Sequence, residues 1–380
     1  MKSALYLLSL VVALLVSSTS AAVPALVELP VRGHILVDFH SGRVLTERNS
    51  QQRLEPASIT KLMSAYLFYD RLNSGQLSLD DQVPVSRNAY DTIGSRMFIE
   101  VGSLVSVEEL LRGIVIQSGN DATVALAEYI AGSEAAFAQM MNAKAVELGM
   151  HDSNFVNSTG LPDPQHYTTA SDIAILARAL IREFPSYYQL YSERSFTYNG
   201  IEQYNRNRLL WRDPSVDGMK TGHTSSAGYC LVSSAQRDGM RLIAVVLGAD
   251  QISDRFEASQ QLLNYGFGHF ETYQLYAAEQ SLTEVRLWKG EKGTLPLGFI
   301  EDTFVTLPKG RYDEMQAALL INARIEAPVQ RGEAFGSVLI RLDDQEVADI
   351  PLVALQDIAL GGWLGRFTDR LMLMITGLFN

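Results

Sequence analysis

From Gly33, the stretch GHILVDFHSGRVLTERN alternates apolar and polar positions, breaks at a Ser-Gly pair, and alternates again, which predicts a β-hairpin. His34 and His40 share a parity on that pattern and read as ordinary strand residues. From Ser58 to about Asn73 the period changes: Ile59, Leu62, Met63, Tyr66 and Leu67 recur at helical spacing ahead of Gly75. A second helix is announced by Ser106-Val-Glu-Glu109, a capping box in front of Leu110, Leu111, Ile114 and Val115. A third, DATVALAEYIAG, follows at once and ends at Gly132. Between Gly218 and Leu247 the period returns to two, with MKTGHT, AGYCLVSSA and MRLIAVVLGA separated by turn residues, an antiparallel sheet behind a helical layer. From about Glu271 to Val353 helical signals vanish. Short alternating runs such as TEVRLW and GSVLIRL, cut by Gly, Pro and Asp, predict a separate all-β domain. The expected organisation is therefore an α+β region over 23–270, a β-rich domain over 271–356 and a terminal segment over 357–380.

The two ends carry their own patterns. Residues 1–22 place Lys2 before an apolar run from Ala4 to Val16 and then Ser20-Ala21-Ala22, the layout of a secretory signal peptide cleaved near Ala22. An uncleaved membrane helix is the alternative, but the run is shorter than the roughly 20 residues that span a bilayer. At the other end Trp363, Phe367, Met374 and Leu378 share one side of a helix with Leu360, Leu364, Leu371 and Ile375, interrupted by Arg366, Asp369 and Arg370. That pattern predicts an amphipathic helix lying in a membrane surface, or one packed on the protein's own core.

Composition narrows the possible chemistry. The 380 residues are 47% hydrophobic and 19% charged, enough apolar material for two or three packed domains. Lys and Arg number 31 against 43 Asp and Glu, a net charge of −12, which has the wrong sign for tracking phosphates, so a nucleic-acid partner is not expected. A single cysteine, Cys230, excludes an intrachain disulfide and reads as core. The six histidines show no zinc-hydrolase spacing, and neither metal nor cofactor is expected.

Ser58-Ile-Thr-Lys61 puts a hydroxyl and an amine three residues apart at a helix start, about one turn apart on one face. Serine becomes a nucleophile when a base takes its proton, and lysine is such a base once burial or a second cation keeps part of it neutral. Taken alone, the motif is a weak signal and is better explained by a capping serine and a surface lysine. Lys220-Thr221-Gly222 adds a candidate second cation, a hydroxyl, and a backbone stretch a peptide can lie against. Of two Ser-x-Asn tripeptides, Ser86-Arg-Asn88 and Ser118-Gly-Asn120, the second falls between two strong helices, where it could face a cleft, cap the third helix, or both.

Ser-x-x-Lys, Ser-x-Asn and Lys-Thr-Gly in that order resemble the signature of penicillin-binding proteins and class A β-lactamases, with Gly119 replacing the usual Asp. Asn205-Arg-Asn-Arg-Leu-Leu-Trp211, Val216-Asp-Gly-Met-Lys-Thr-Gly-His-Thr224 and Ala227-Gly-Tyr229 are similar to the low-molecular-mass, class C penicillin-binding proteins, specifically the type-five D-alanyl-D-alanine carboxypeptidases. The resemblance covers nearly the whole chain after the leader. It implies a penicillin-binding, β-lactamase-like transpeptidase fold followed by a small β domain and an anchor helix. It also implies that Ser58 attacks the carbonyl between the terminal D-alanines of the peptidoglycan pentapeptide, with Lys61 as base, and that β-lactams acylate the same serine. Ser118, close to both lysines, would hand a proton to the departing amine. Asn120 would hold substrate, Lys220 would keep the site positive, and the backbone N–H groups of Ser58 and His223 would face the oxyanion. Thr221 and Arg255 match the family's carboxylate-binding pair, Gly222 offers backbone for the peptide to lie against, and the enzyme would work at the periplasmic face of the bacterial inner membrane.

Other readings stay open. A class A β-lactamase would need a glutamate followed three residues later by Asn; in the stretch from Asn154 to Phe184 the one glutamate, Glu183, is followed by Phe-Pro-Ser. A D,D-endopeptidase of the same fold and an inert wall-binding scaffold are the remaining alternatives.

Overall fold

Met240–Ala249 is buried at every position but one. Successive strand side chains point to opposite faces, so its sheet must be covered on both. The structure, a computed structural model describing residues 23–376, bears this out. Five antiparallel strands run in the order Val44–Arg48, Val31–Asp38, Met240–Ala249, Gly228–Arg237, Val216–Thr224. Leu242, Ala244 and Val246 face the helix Ile252–His269, meeting Phe256, Leu262 and Leu263. Ile243, Val245 and Leu247 face the other way, into a larger core with Leu62 and Met63 of Lys61–Asn73 and Leu176 and Leu180 of Ala170–Glu183. The sheet thus lies between two helical layers, as the expected antiparallel sheet with helical layers requires. The long apolar run of this strand is the local sign of double coverage.

The predicted hairpin forms, with one correction. Its first strand stops at Asp38, whose carboxylate accepts from the backbone N–H (2.7 Å) and hydroxyl (2.8 Å) of Ser41 and so closes a tight turn. His40 therefore sits in the turn and not on the strand, with its ring against Phe304 of the β domain at 4.5 Å. The second helix begins with the expected capping box at Ser106 and Glu109, runs Val107–Arg112, and widens into a π-helical turn over Gly113–Gln117. The chain then turns through Ser118, at φ 66°, into the helix Asn120–Ala131. Ser118 is not its cap. Ser86 is a cap, accepting from the Ala89 N–H, and its hydroxyl and the Asn88 amide both donate to Glu128, so the first Ser-x-Asn tripeptide is structural.

Beyond the long helix, Phe270–Tyr276 pairs with Thr303–Pro308. A six-stranded sheet runs in the order Gln316–Ile321, Ala334–Leu342, Gln345–Ala354, Thr294–Gly298, Ser281–Trp288, Ile325–Glu326, around Leu287, Leu297, Ile340 and Leu352. The helix Trp363–Thr376 ends the described chain. Asp369 ties it to the β domain by accepting from Arg286 at 3.0 Å and from the Lys289 N–H at 2.6 Å, while Trp363, Leu364, Phe367, Leu371 and Met374 stay exposed. No helix among the described residues is long and apolar enough to cross a membrane. The expected signal peptide, and Leu378 of the C-terminal pattern, lie outside the described residues.

Candidate active site

Ser58 stands on a single 3-10 turn, Ala57–Thr60, that runs straight into the helix Lys61–Asn73. Ala57, immediately before it, has φ 47°, a conformation costly for a residue with a Cβ. Two glycines hold the turn in place. A Cβ on Gly160 would lie 1.8 Å from the Ala57 carbonyl oxygen, and one on Gly222 would lie 2.9 Å from that of Pro56. Gly222 is therefore required chiefly because the edge strand Val216–Thr224 packs directly on the serine's turn, a different reason from the substrate contact expected of it. Gly160→Ala, at φ 85°, combines strain with a backbone clash; urea unfolding is expected to show a loss of about 2–4 kcal/mol.

Lys61 is buried, with its ammonium nitrogen 3.1 Å from Ser58 Oγ. It also donates to Asn120 Oδ1 at 2.7 Å and to the Thr159 carbonyl at 2.8 Å. The Asn120 amide is oriented by its own Nδ2–H, which donates to the Ile93 carbonyl at 2.6 Å, so the group facing Lys61 can only accept. A neutral amine has two N–H bonds and one lone pair. With both hydrogens directed to obligate acceptors, the lone pair is left facing the serine hydroxyl. Burial, and after it the positive charge of Arg206, pulls the Lys61 pKa down to about 7, so a large share is neutral at ordinary pH. Asn120 thus has both ends of its amide engaged within the protein while it also lines the cleft where it is expected to hold substrate.

The structure brings the remaining predicted residues to the same place, with differences. Ser118, Thr221, Gly222, His223 and Arg255 line a cleft of about 290 Å³ together with Ser58 and Asn120. The Ser118 hydroxyl is buried and without a hydrogen-bond partner among the described residues, so it is hydrogen-bonded to neither lysine. Lys220 is buried behind the cleft and donates to the Thr221 carbonyl at 3.2 Å. Burial, followed by repulsion from Lys61, Arg206 and Arg255, pushes its pKa well below that of an ordinary lysine. Arg255, on the first turn of the long helix, donates to the Gly222 carbonyl at 3.1 Å, keeps a buried Nε without a partner, and stays cationic although burial lowers it to about 10. The exposed imidazole of His223 stacks on Tyr229 at 4.0 Å while its backbone lies on the sheet's outer strand.

Three contributors went unassigned from sequence. Thr159 acts through its carbonyl and Gly160 through its lack of a side chain, neither of which leaves a mark in a residue pattern. Arg206 lines the cleft, and its signal was its place in the Asn205–Trp211 run. No carboxylate lines the cleft, so its electrostatics suit an anionic ligand. A larger hollow of about 530 Å³, between the hairpin and the helix Ala170–Glu183, is lined by Glu47 and Ser171 but by no lysine; chemistry, and not size, marks the site.

Comparison with known proteins agrees with this geometry. A family model described as D-alanyl-D-alanine carboxypeptidase (peptidase S11) matches residues 17–251, and one described as penicillin-binding protein 5, C-terminal domain, matches 270–359. The chain is 40% identical over 359 residues to D-alanyl-D-alanine carboxypeptidase DacA of Haemophilus influenzae, covering 93% of this chain and 91% of that protein. It is 40% identical over 370 residues to DacC of Escherichia coli, covering 94% and 92%. The crystal structure of penicillin binding protein 5 from Haemophilus influenzae superposes with a TM-score of 0.83 at 39% identity, over 89% of this chain and 100% of that one. With its serine, lysine and edge strand assembled as described and both of its domains matched, the chain belongs to the D-alanyl-D-alanine carboxypeptidase family.

Proposed function

We propose that this protein is a serine D,D-carboxypeptidase that removes the terminal D-alanine from peptidoglycan pentapeptides through a Ser58 acyl-enzyme, and that β-lactams acylate the same serine. The observation that carries the reading is the buried Lys61 amine, 3.1 Å from Ser58 Oγ, with its hydrogens spoken for by Asn120 and Thr159. The peptide adds along the edge strand Val216–Thr224, and its carboxylate meets Thr221 and Arg255. Ser58 Oγ attacks the penultimate D-Ala carbonyl as Lys61 takes its proton. The oxyanion sits against the Ser58 and His223 N–H groups. Collapse expels D-alanine, whose amine receives a proton by way of Ser118, the buried hydroxyl free to turn toward it. Water then attacks the ester with Lys61 again as base, and Arg206 and Arg255 keep the cleft positive throughout.

A β-lactamase reading is disfavoured because no carboxylate lines the cleft, and Glu183 is engaged by Tyr66 and Arg182. The purified protein is expected to release D-alanine from diacetyl-L-Lys-D-Ala-D-Ala and to hold a long-lived benzylpenicillin adduct. Rapid penicillin hydrolysis, or no D-alanine release, would overturn the assignment.

We further propose that the protein is exported by its leader and held at the periplasmic face of the inner membrane by its C-terminal helix, with the β domain as a spacer. The exposed Trp363, Leu364, Phe367, Leu371 and Met374 support this. Ending the chain at Gly361 should abolish co-sedimentation with phospholipid vesicles while leaving activity on the small peptide within about twofold, since the site lies wholly in the first domain. Retained vesicle binding by the shortened chain would rule out the helix as anchor.

A further inference from the structure

Thr159 and Gly160, which meet Lys61 and the Ser58 turn, ride on a loop from Val156 to His166. A loop can place a catalytic group only as well as its ends are fixed. Its tip is organised internally, since Asn157 Oδ1 accepts from the backbone N–H groups of Thr159, Gly160 and Leu161. Below its neck Asn154 and Tyr167 exchange backbone hydrogen bonds at 2.9 and 3.1 Å, and Ser158 is held by Ser64 and Glu134; one side chain links the neck to the catalytic turn. His166 is buried, and its Nδ1 accepts from the Val156 N–H at 3.4 Å, joining the two ends of the loop. The other ring nitrogen must then carry the hydrogen, and it lies 2.8 Å from Thr60 Oγ1, itself fully buried. Thr60 sits between Ser58 and Lys61 on the turn that carries both. The ring is steadied edge-on by Phe155 at 5.7 Å.

We propose that His166 is a positioning residue for the reaction: it clamps the neck of the Val156–His166 loop to Thr60 and so keeps the Thr159 carbonyl where it aims the Lys61 amine at Ser58. This rests on the serine-peptidase reading above. The clamp needs a neutral imidazole with its hydrogen on Nε2. Burial drives the His166 pKa down to about 4, with Asp163 acting against the shift and Lys61 adding to it, so that form persists at neutral pH. Thr221 and Arg255 belong to other elements, while Thr159, Gly160 and Leu161 of the loop also line the cleft, so loosening the clamp is expected to act more on the chemical step than on carboxylate binding.

The test is steady-state D-alanine release from diacetyl-L-Lys-D-Ala-D-Ala, with benzylpenicillin acylation in parallel, by the full chain and the variants His166→Phe, His166→Gln and Thr60→Val. Phenylalanine keeps the ring packing and loses both hydrogen bonds. Its kcat is expected to fall about tenfold to a hundredfold with KM within about twofold, the scale of a misplaced catalytic group. Glutamine offers an N–H to Thr60 and an oxygen to Val156 and should restore most of the rate, whereas Thr60→Val should reproduce the loss from the other side. Wild-type kcat in a folded His166→Phe protein, equal loss in the glutamine variant, or KM rising in step with the fall in kcat would overturn the proposal. If His166→Phe does not fold, Thr60→Val decides, and a normal kcat there overturns it. A wild-type protein inert to both reagents would bring down the carboxypeptidase reading, and this proposal with it, a result distinct from any of the variant outcomes.

Discussion

Ser58→Ala is expected to abolish D-alanine release and benzylpenicillin labelling together, by roughly 10⁴-fold or more, the loss seen when a covalent nucleophile is deleted from a site that keeps its remaining groups. The physical reason is that no other hydroxyl can substitute. Ser118 is buried without a partner but does not share the Lys61 lone pair, and Thr221 belongs to the neighbouring strand. The fold should survive, because Lys61 keeps Asn120 and Thr159 as acceptors and alanine fits wherever serine did. The melting temperature, measured beside turnover, should therefore move by no more than a few degrees. Residual turnover within tenfold of wild type would mean that the reaction does not pass through an acyl-enzyme at this residue.

The second large effect is on pH. If the Lys61 amine is the base, only its neutral form acts, and that form grows as pH rises through about 7. Benzylpenicillin acylation should fall about tenfold for each pH unit below that point and level off above it. A lysine left at the ordinary value of 10.5 would instead give a rate still climbing tenfold per unit at pH 9. Burial is the main cause of the shift, with Arg206 adding to it and Asp121 and Glu134 opposing it. Stability follows the same linkage with a definite sign. Between about 7 and 10.5 the unfolded chain holds a proton on this lysine that the folded chain has released, so this group's destabilising effect fades as pH rises through that window. An acid limb near pH 4 to 5 would point to a carboxylate as the base and would dismantle the mechanism.

What could be read directly from the chain was whatever depends on near neighbours. The 3.6 and 2.0 periods marked the first helices, the hairpin and the β domain, and the Ser106 capping box formed as written because its partners are three residues apart. Ser58 and Lys61 were legible for the same reason, since one turn of helix brings them together whatever surrounds it. Lys220-Thr221-Gly222 was visible as a motif, but its place against the serine came only with the five-stranded sheet. Where expectation and structure parted, a long-range contact had decided. His40 left its strand because the Asp38 turn docks on the β domain.

The sequence by itself determined the kinds of element, the pairing of hydroxyl with amine, the absence of zinc-ligand spacing, and the apolar side of the last helix. These rest on periodicity and on residue chemistry, which act over one or two turns of chain. Tertiary structure alone decided that Lys61 is buried, which pulls its pKa down to about 7, that Asn120 and Thr159 stand around its amine as acceptors, and that backbone groups at Thr159 and Gly160 complete the site. Desolvation and hydrogen-bond direction depend on atoms brought together from distant parts of the chain, and a carbonyl or a missing Cβ has no letter of its own in the sequence.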